Sequence, residues 1–224
     1  MKNKLIIAAL SMVTILSLSA CANTDVVGNF AKTSFAEVLE AIPDRVFEDN
    51  LHVGWSLISP DETERFFWSK DYSKSSLYDV MIEFDDTPFL NAGLDVSKLP
   101  EGTVVDEKII LGTNLGNDKI TYDGDVTPEA SFNKIVELYR SSIGYHEKLD
   151  HYNVDLGNGN KFEWAKDMST NDKDIVFVVD PEIFIAAGVD PENIEGWTYA
   201  SVPVKDASGK PIEVMKLLKF FDLQ

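Results

Sequence analysis

The chain has 224 residues, of which 20 are Lys or Arg and 38 are Asp or Glu, so its net charge is −18 at pH 7. Proteins that bind nucleic acid, or lie flat on anionic lipid, need basic surface, so this composition argues against both classes. Cationic partners, peptides and metal ions are compatible with it.

The N-terminal residues have the pattern of a targeting segment. Two lysines, Lys2 and Lys4, precede an apolar run of 16 residues, 5–20. That run is shorter than the ~20 residues that a membrane-spanning helix needs. It ends in Leu18-Ser19-Ala20-Cys21, an aliphatic residue and two small residues before the chain's single cysteine.

This ending resembles the lipobox of bacterial lipoprotein precursors. The resemblance covers residues 1–21 only, and it implies that residues 1–20 are a signal peptide and that Cys21 is the lipid-attachment residue. Two acyl chains on Cys21 would hold the protein stably on the outer face of the cytoplasmic membrane, or on an outer membrane in a two-membrane cell. Without Lys2 and Lys4, 18 basic residues face 38 acidic ones, a net charge of −20. The body then has no thiol for a disulfide.

The first part of the body follows a lipidated tether, residues 21–32, which has little periodicity. Ser34 and Glu37 fit a capping box for a helix that Pro43 stops. A hairpin is predicted next, with strands 51–58 and 65–68, followed by a buried strand, 78–84. A short helix ending at Gly93, which fits a Schellman stop, and strands 103–111 and 119–122 complete this part.

The second part repeats these elements. Thr127 caps a helix that begins at Pro128 and is predicted to end at Gly144. Strands 152–156 and 161–164 flank a Gly-Asn-Gly-Asn turn, and the strand 175–179 is almost wholly apolar, which suits burial on both faces. A short helix ending at Gly188 and strands 197–204 and 212–215 follow.

Four sequence blocks recur in the same order. Ser34-Phe35 returns as Ser131-Phe132, Trp68-x-Lys70-Asp71 as Trp164-x-Lys166-Asp167, Ala92-Gly93 as Ala187-Gly188, and Glu101-Gly102 as Glu195-Gly196. The offset falls from 97 through 96 and 95 to 94. A period this long exceeds that of solenoid repeats and indicates a duplicated half-domain.

The predicted fold is therefore α+β. Two tandem copies of a helix-plus-antiparallel-sheet half-domain, residues 33–124 and 125–224, are expected to pack as one unit with pseudo-two-fold symmetry. A binding site would then lie in the groove between the halves.

The best candidate for recognition is the repeated Trp-x-Lys-Asp-x-Ser element. Aromatic rings supply contact area, and a Lys-Asp pair can orient a polar ligand. Packing of the tryptophans in the core, with a turn beyond them, explains the repeat as well. The candidate ligand-binding residues are Trp68, Lys70, Asp71, Trp164, Lys166 and Asp167.

Other chemistry has weaker support in the sequence. His146 and Asp150 have the i, i+4 spacing of a metal pair, but His151 departs from the zincin pattern and no metal site is predicted. Asp118, Asp123 and Asp125 are rich in oxygen ligands for calcium without the EF-hand order, and a turn explains them equally. No nucleophile elbow, phosphate loop or cofactor motif is present.

Three functional interpretations stay open. The preferred one is a membrane-anchored extracytoplasmic lipoprotein that binds a small molecule, a peptide or a protein without catalysis. The alternatives are a cell-envelope hydrolase, with or without metal assistance at His146 and Asp150, and a structural envelope protein without a ligand.

Overall fold

The computed structural model describes residues 13–70, 78–115, 126–168, 173–205 and 208–223, with side chains from Val26 onward. These residues form two six-stranded antiparallel sheets and four α-helices, an α+β architecture with two similar halves. The predicted signal peptide lies largely outside the described residues, and the predicted strand 119–122, Asp71 and the three aspartates of the calcium hypothesis lie wholly outside them.

The first half begins with helix α1 (Val13–Ala41). Its six strands form one sheet in the order β1-β2-β3-β4-β6-β5, with every neighbouring pair antiparallel. The short helix α2 (Thr87–Asn91) lies between β4 and β5 in the chain. The strands are β1 (Val46–Asp49), β2 (Gly54–Ile58), β3 (Glu64–Ser69), β4 (Val80–Asp85), β5 (Val104–Val105) and β6 (Lys108–Thr113).

The second half has the same element order. Helix α3 (Pro128–Leu138) comes first, and α4 (Glu182–Ala186) lies between the fourth and fifth strands. Its sheet has the order β7-β8-β9-β10-β12-β11, which matches the first sheet strand for strand. The strands are β7 (Ile143–His146), β8 (His151–Gly157), β9 (Asn160–Ala165), β10 (Ile175–Val179), β11 (Thr198–Lys205) and β12 (Pro211–Phe221).

The start of α1 differs from the prediction. Ser34 does not cap a helix, and residues 22–32 are helical rather than an irregular tether. The Ser34 hydroxyl donates to the Ala31 carbonyl from inside the helix. Two small residues explain the difference, because Gly28 and Ala31 are buried without forming a visible apolar stripe. A Cβ on Gly28 would lie 3.4 Å from Val136 Cγ1, so α1 approaches α3 closely there.

The end of α3 also differs from the prediction. Thr127 does cap the helix, accepting a hydrogen bond from the Ala130 amide at 3.1 Å. The helix ends at Leu138 rather than Gly144, and a 3-10 turn leads into β7. His146 therefore lies on a strand.

Both short helices end as predicted. The Leu94 amide donates to the Phe89 carbonyl and the Gly93 amide to the Leu90 carbonyl, the two bonds of a Schellman motif. Val189 and Gly188 make the same bonds after α4. Gly93 and Gly188 have φ of +103° and +102°, which glycine adopts without steric cost.

One hydrophobic core contains residues of both halves. The alternation of β3 directs Phe66 and Trp68 into this core and Arg65 and Phe67 to the opposite face of the sheet. In β9, Phe162 and Trp164 point inward in the same way. Each sheet therefore has a core face and an outer face, and the candidate sites divide between them.

Candidate functional site

The repeated tryptophans are core residues. Trp68 and Trp164 are both 0 % exposed. A tryptophan can contact a ligand only if part of its indole ring is accessible. The prediction that Trp68 and Trp164 bind a ligand is therefore wrong for the described structure. Their sequence motif recurs because the same packing position recurs.

Each indole donates a hydrogen bond to the helix of the other half. Trp68 Nε1 donates to the Pro128 carbonyl at 3.1 Å, and Trp164 Nε1 donates to Ser34 Oγ at 2.8 Å. The Ser131 hydroxyl donates to the Ser69 carbonyl at 3.0 Å. These bonds satisfy buried polar groups and link the halves.

The repeated lysines each pair within their own half. Lys70 Nζ lies 2.8 Å from Glu48 Oε1 and 5.5 Å from the centre of the Trp55 ring. Lys166 Nζ lies 3.4 Å from Asp150 Oδ1, and Asp167 is exposed. Ligand binding by Lys70, Lys166 and Asp167 stays a prediction.

Aromatic side chains fill the space between the halves. The ring centroids of Phe35 and Phe132 are 3.6 Å apart, and those of Phe66 and Phe162 are 3.7 Å apart. These four rings are at most 1 % exposed. Packed rings of this kind leave no room for a ligand where they meet, so this part of the interface cannot be the expected groove.

The junction of α2 and α4 is closed by backbone contacts. The Asp95 amide donates to the Ala187 carbonyl, and the Asp190 amide donates to the Ala92 carbonyl, both at 2.9 Å. A Cβ on Gly93 would lie 2.8 Å from the Gly188 carbonyl oxygen. This end of the interface has no opening between the two glycines.

A charged network lies on the outer face of the first sheet. We call Asp49, His52, Arg65 and Glu83 the first-sheet cluster. Arg65 bridges Asp49 at 2.8 Å and Glu83 at 2.5 Å, and His52 Nδ1 lies 2.9 Å from Asp49 Oδ2. The Arg65 side chain is 22 % exposed, so the network reaches solvent.

The electrostatics of this network favour an ionised Asp49. Burial raises the pKa of Asp49, but hydrogen bonds from the ring and backbone of His52 and the electrostatic interactions with His52 and Arg65 outweigh burial. The pKa of Asp49 is therefore held below its usual value. While the His52 ring is neutral, the two carboxylates and one guanidinium leave one net negative charge, which suits a cationic group on a partner.

The corresponding outer face of the second sheet has different chemistry. We call His146, His151 and Glu163 the second-sheet cluster. His146 Nδ1 lies 3.0 Å from Glu163 Oε2, and His151 Nδ1 lies 3.9 Å from the same oxygen. Burial lowers the pKa of His151, although the negative charge of Glu163 opposes this effect. Two ring nitrogens, His146 Nε2 and His151 Nδ1, are buried without a partner.

The structure does not bring the proposed metal pair together. His146 pairs with Glu163, whereas Asp150 accepts hydrogen bonds from Tyr145 and Lys166. Among the described residues, no group of three His, Cys, Asp or Glu side chains is arranged to hold a metal ion. No observation on this part of the chain favours the hydrolase alternative.

Sequence reasoning missed one repeated ion pair and most of the outer-face residues. Lys108 pairs with Asp85, and Lys216 pairs with Asp180, at matching places in the two sheets. Each lysine also donates to a carbonyl of the preceding hairpin, that of Thr63 or Gly159. The recurrence of Asp85 as Asp180 was a visible signal, but the lysines are 108 residues apart and fall outside the matched blocks.

Comparison with protein-family models, curated proteins and solved structures finds no match to this chain. Within the described residues, no helix is both long enough and apolar enough to cross a membrane.

Proposed function

We propose that the protein is an extracytoplasmic lipoprotein, anchored through Cys21, that binds a partner without catalysis. The partner would be held on the outer face of the first sheet rather than in a groove between the halves. One observation carries this proposal: the core faces of the halves keep the same aromatic residues, while their outer faces, apart from the repeated Lys108–Asp85 and Lys216–Asp180 pairs, carry different polar residues. Packing alone needs no such difference on the outer faces.

The composition of the outer face supports a binding role. Phe47, on β1, is 49 % exposed, and Leu51, in the following turn, is 80 % exposed. Both lie near the first-sheet cluster in the chain, with Arg65 at its centre. Aromatic residues and arginine are enriched in protein interfaces, where they supply contact area and directed hydrogen bonds. Polar contacts from Asp49 and Glu83 would select a cationic partner.

We also infer that the halves are related by an internal pseudo-two-fold axis. Support comes from two reciprocal hydrogen bonds. The Asp95 amide donates to the Ala187 carbonyl, and the Asp190 amide, at the position equivalent to Asp95, donates to the carbonyl of Ala92, which is equivalent to Ala187. Contacts between equivalent residues, such as Phe35 with Phe132, support the same relation. Reciprocal contacts of this kind are typical of an isologous interface.

The anchor is tested by Cys21→Ser. We expect this variant to stay unprocessed or to leave the membrane fraction, because acylation of Cys21 is the hold that the sequence predicts. Thr24→Ser, a conservative change just beyond the cysteine, is the control. Mass spectrometry of the N-terminal peptide should show the acyl modification in the wild type and control alone; membrane retention of cleaved Cys21→Ser would contradict the anchor.

Partner binding is tested by photo-cross-linking in cells. A photoreactive residue at Phe47 should form an adduct that weakens when Glu83→Gln removes a charge from the first-sheet cluster. The same residue at Leu138, which is 41 % exposed at the end of α3, is the control. Absence of any adduct at Phe47 would contradict the binding role of this face and favour the structural alternative.

A further inference from the structure

Helix α1 carries two exposed apolar side chains near the middle of its length. Val26 is 50 % exposed and Phe30 is 57 % exposed. Residues four apart are neighbours on one face of a helix, so the two side chains lie together. The opposite face of α1 packs on the body, with Ala31 and Phe35 buried. Val26 and Phe30 therefore point away from the protein.

The position of this pair relative to Cys21 indicates what covers it. Cys21 lies within the same continuous helix, Val13–Ala41. With a rise of 1.5 Å per residue, Val26 is about 7.5 Å and Phe30 about 13.5 Å from Cys21 along the helix axis. Farther along the exposed face come Thr33 and then Glu37. The exposed face is thus apolar close to the cysteine and polar beyond it.

We propose that Val26 and Phe30 contact the bilayer surface when the protein is anchored. The inference rests on the proposed acylation of Cys21, which would hold this part of α1 within reach of lipid. Because the acidic body gains nothing from anionic headgroups, the contact is apolar and local. The body is then held in one orientation by a rigid helix instead of moving freely on a tether.

The test places a fluorescent label at each position. Acylation consumes the thiol of Cys21, the single cysteine, so a cysteine introduced in Val26→Cys or Phe30→Cys is the only free thiol. Each purified, acylated variant is labelled with nitrobenzoxadiazole and reconstituted into phosphatidylcholine–phosphatidylglycerol vesicles, with and without nitroxide-labelled lipid. Glu37→Cys, on the same helix face, and Glu192→Cys, next to α4, are matched controls.

We expect blue-shifted emission and strong quenching by nitroxide lipid at positions 26 and 30, and water-like, unquenched emission at positions 37 and 192. Water-like emission at position 30 in an anchored protein would overturn the proposed bilayer contact but leave the proposed anchor standing. Blue-shifted emission without lipid quenching would overturn it too, because protein, such as a second copy, would then cover the pair. A wild type without acyl groups that stays out of the membrane fraction would overturn both this inference and the anchor.

Discussion

His151 couples stability to pH at the scale of a single residue. It is 3 % exposed, and burial lowers its pKa below the usual value of 6.5. The unfolded chain therefore binds a proton at His151 more readily than the folded protein does. We expect the free energy of unfolding to fall as pH drops from about 7 through 6.5 towards the lowered folded pKa. Urea unfolding across this range measures the effect.

The comparison with His151→Gln isolates this contribution. The groups whose charges act on His151 are Glu163, His146, Asp150 and Lys173, and all four remain in the variant. We expect the variant to lose less stability than the wild type over the same pH range. His52→Gln leaves the second-sheet cluster intact and is the control for replacing a histidine elsewhere on the molecule. An equal pH dependence of the unfolding free energy in the wild type and His151→Gln would show that His151 titrates alike in the folded and unfolded states.

Single residues were the least predictable part of the candidate site. The repeat drew attention to Trp68 and Trp164, but the sequence does not distinguish a retained core residue from a retained contact residue. Arg65 and Glu163 gave no signal because neither recurs: Lys161 and Phe67 occupy the matching positions. A site that arises by divergence after duplication is hidden from any search for repeated motifs.

At the scale of elements, the contact between the ends of α2 and α4 depends on glycine. We expect Gly93→Ala and Gly188→Ala each to destabilise the protein by about 1–3 kcal/mol, because a side chain at positive φ is strained and would also meet a carbonyl oxygen. The added Cβ would lie 2.8 Å and 3.0 Å from the facing oxygens, respectively. Urea unfolding of each variant measures the cost.

Gly102→Ala is the matched control for that contact. Gly102 also has a positive φ, +82°, but nothing lies within 4 Å of an added Cβ. It should therefore show the backbone cost of about 1–2 kcal/mol without the clash. A cost at Gly93 no greater than at Gly102 would mean that the junction relaxes and that the close approach contributes little.

Elements with a strong local signal were predicted, and two short edge strands were not. The Gly-Asn-Gly-Asn turn, the apolar strand β10 and the Schellman glycines are confirmed. Strands β1 and β7 were missed. Both are four-residue edge strands without a buried residue, so burial imposes no alternation of apolar and polar residues on them. The predicted strand 103–111 is a hairpin, whose turn residues Asp106 and Glu107 have positive φ and lack the expected glycine.

At the scale of the whole molecule, hydrogen bonds between the halves contribute to stability. Ser34→Ala would leave the buried Trp164 indole N–H without its acceptor. We expect this variant to lose about 1–3 kcal/mol of unfolding free energy, the cost of an unsatisfied buried donor. Thr33→Ala, an exposed neighbour on α1, is the control and should change stability much less. A neutral Ser34→Ala would indicate that water or another group takes over the bond.

The two similar halves were visible in the sequence because packing constrains the same positions twice. Phe35 and Phe132, or Phe66 and Phe162, fill equivalent places in one core, so substitution at either is costly. The packing of aromatic rings between the halves was not predictable from the repeat. Whether two half-domains meet through a groove or through stacked rings depends on their relative orientation, which local patterns do not encode.

The shared core leads to a last prediction about cooperativity. We expect urea to unfold the protein in one transition, with coincident changes in tryptophan fluorescence and far-ultraviolet circular dichroism. Phe35→Leu should move both curves to lower urea together, because Phe35 contacts aromatic rings of both halves. Fragments 22–125 and 126–224 should each remain unfolded when expressed separately, since each alone would expose its half of the stacked aromatic rings to water. A fragment that folds alone, or a variant that shifts only one of two transitions, would show that the halves are independent domains.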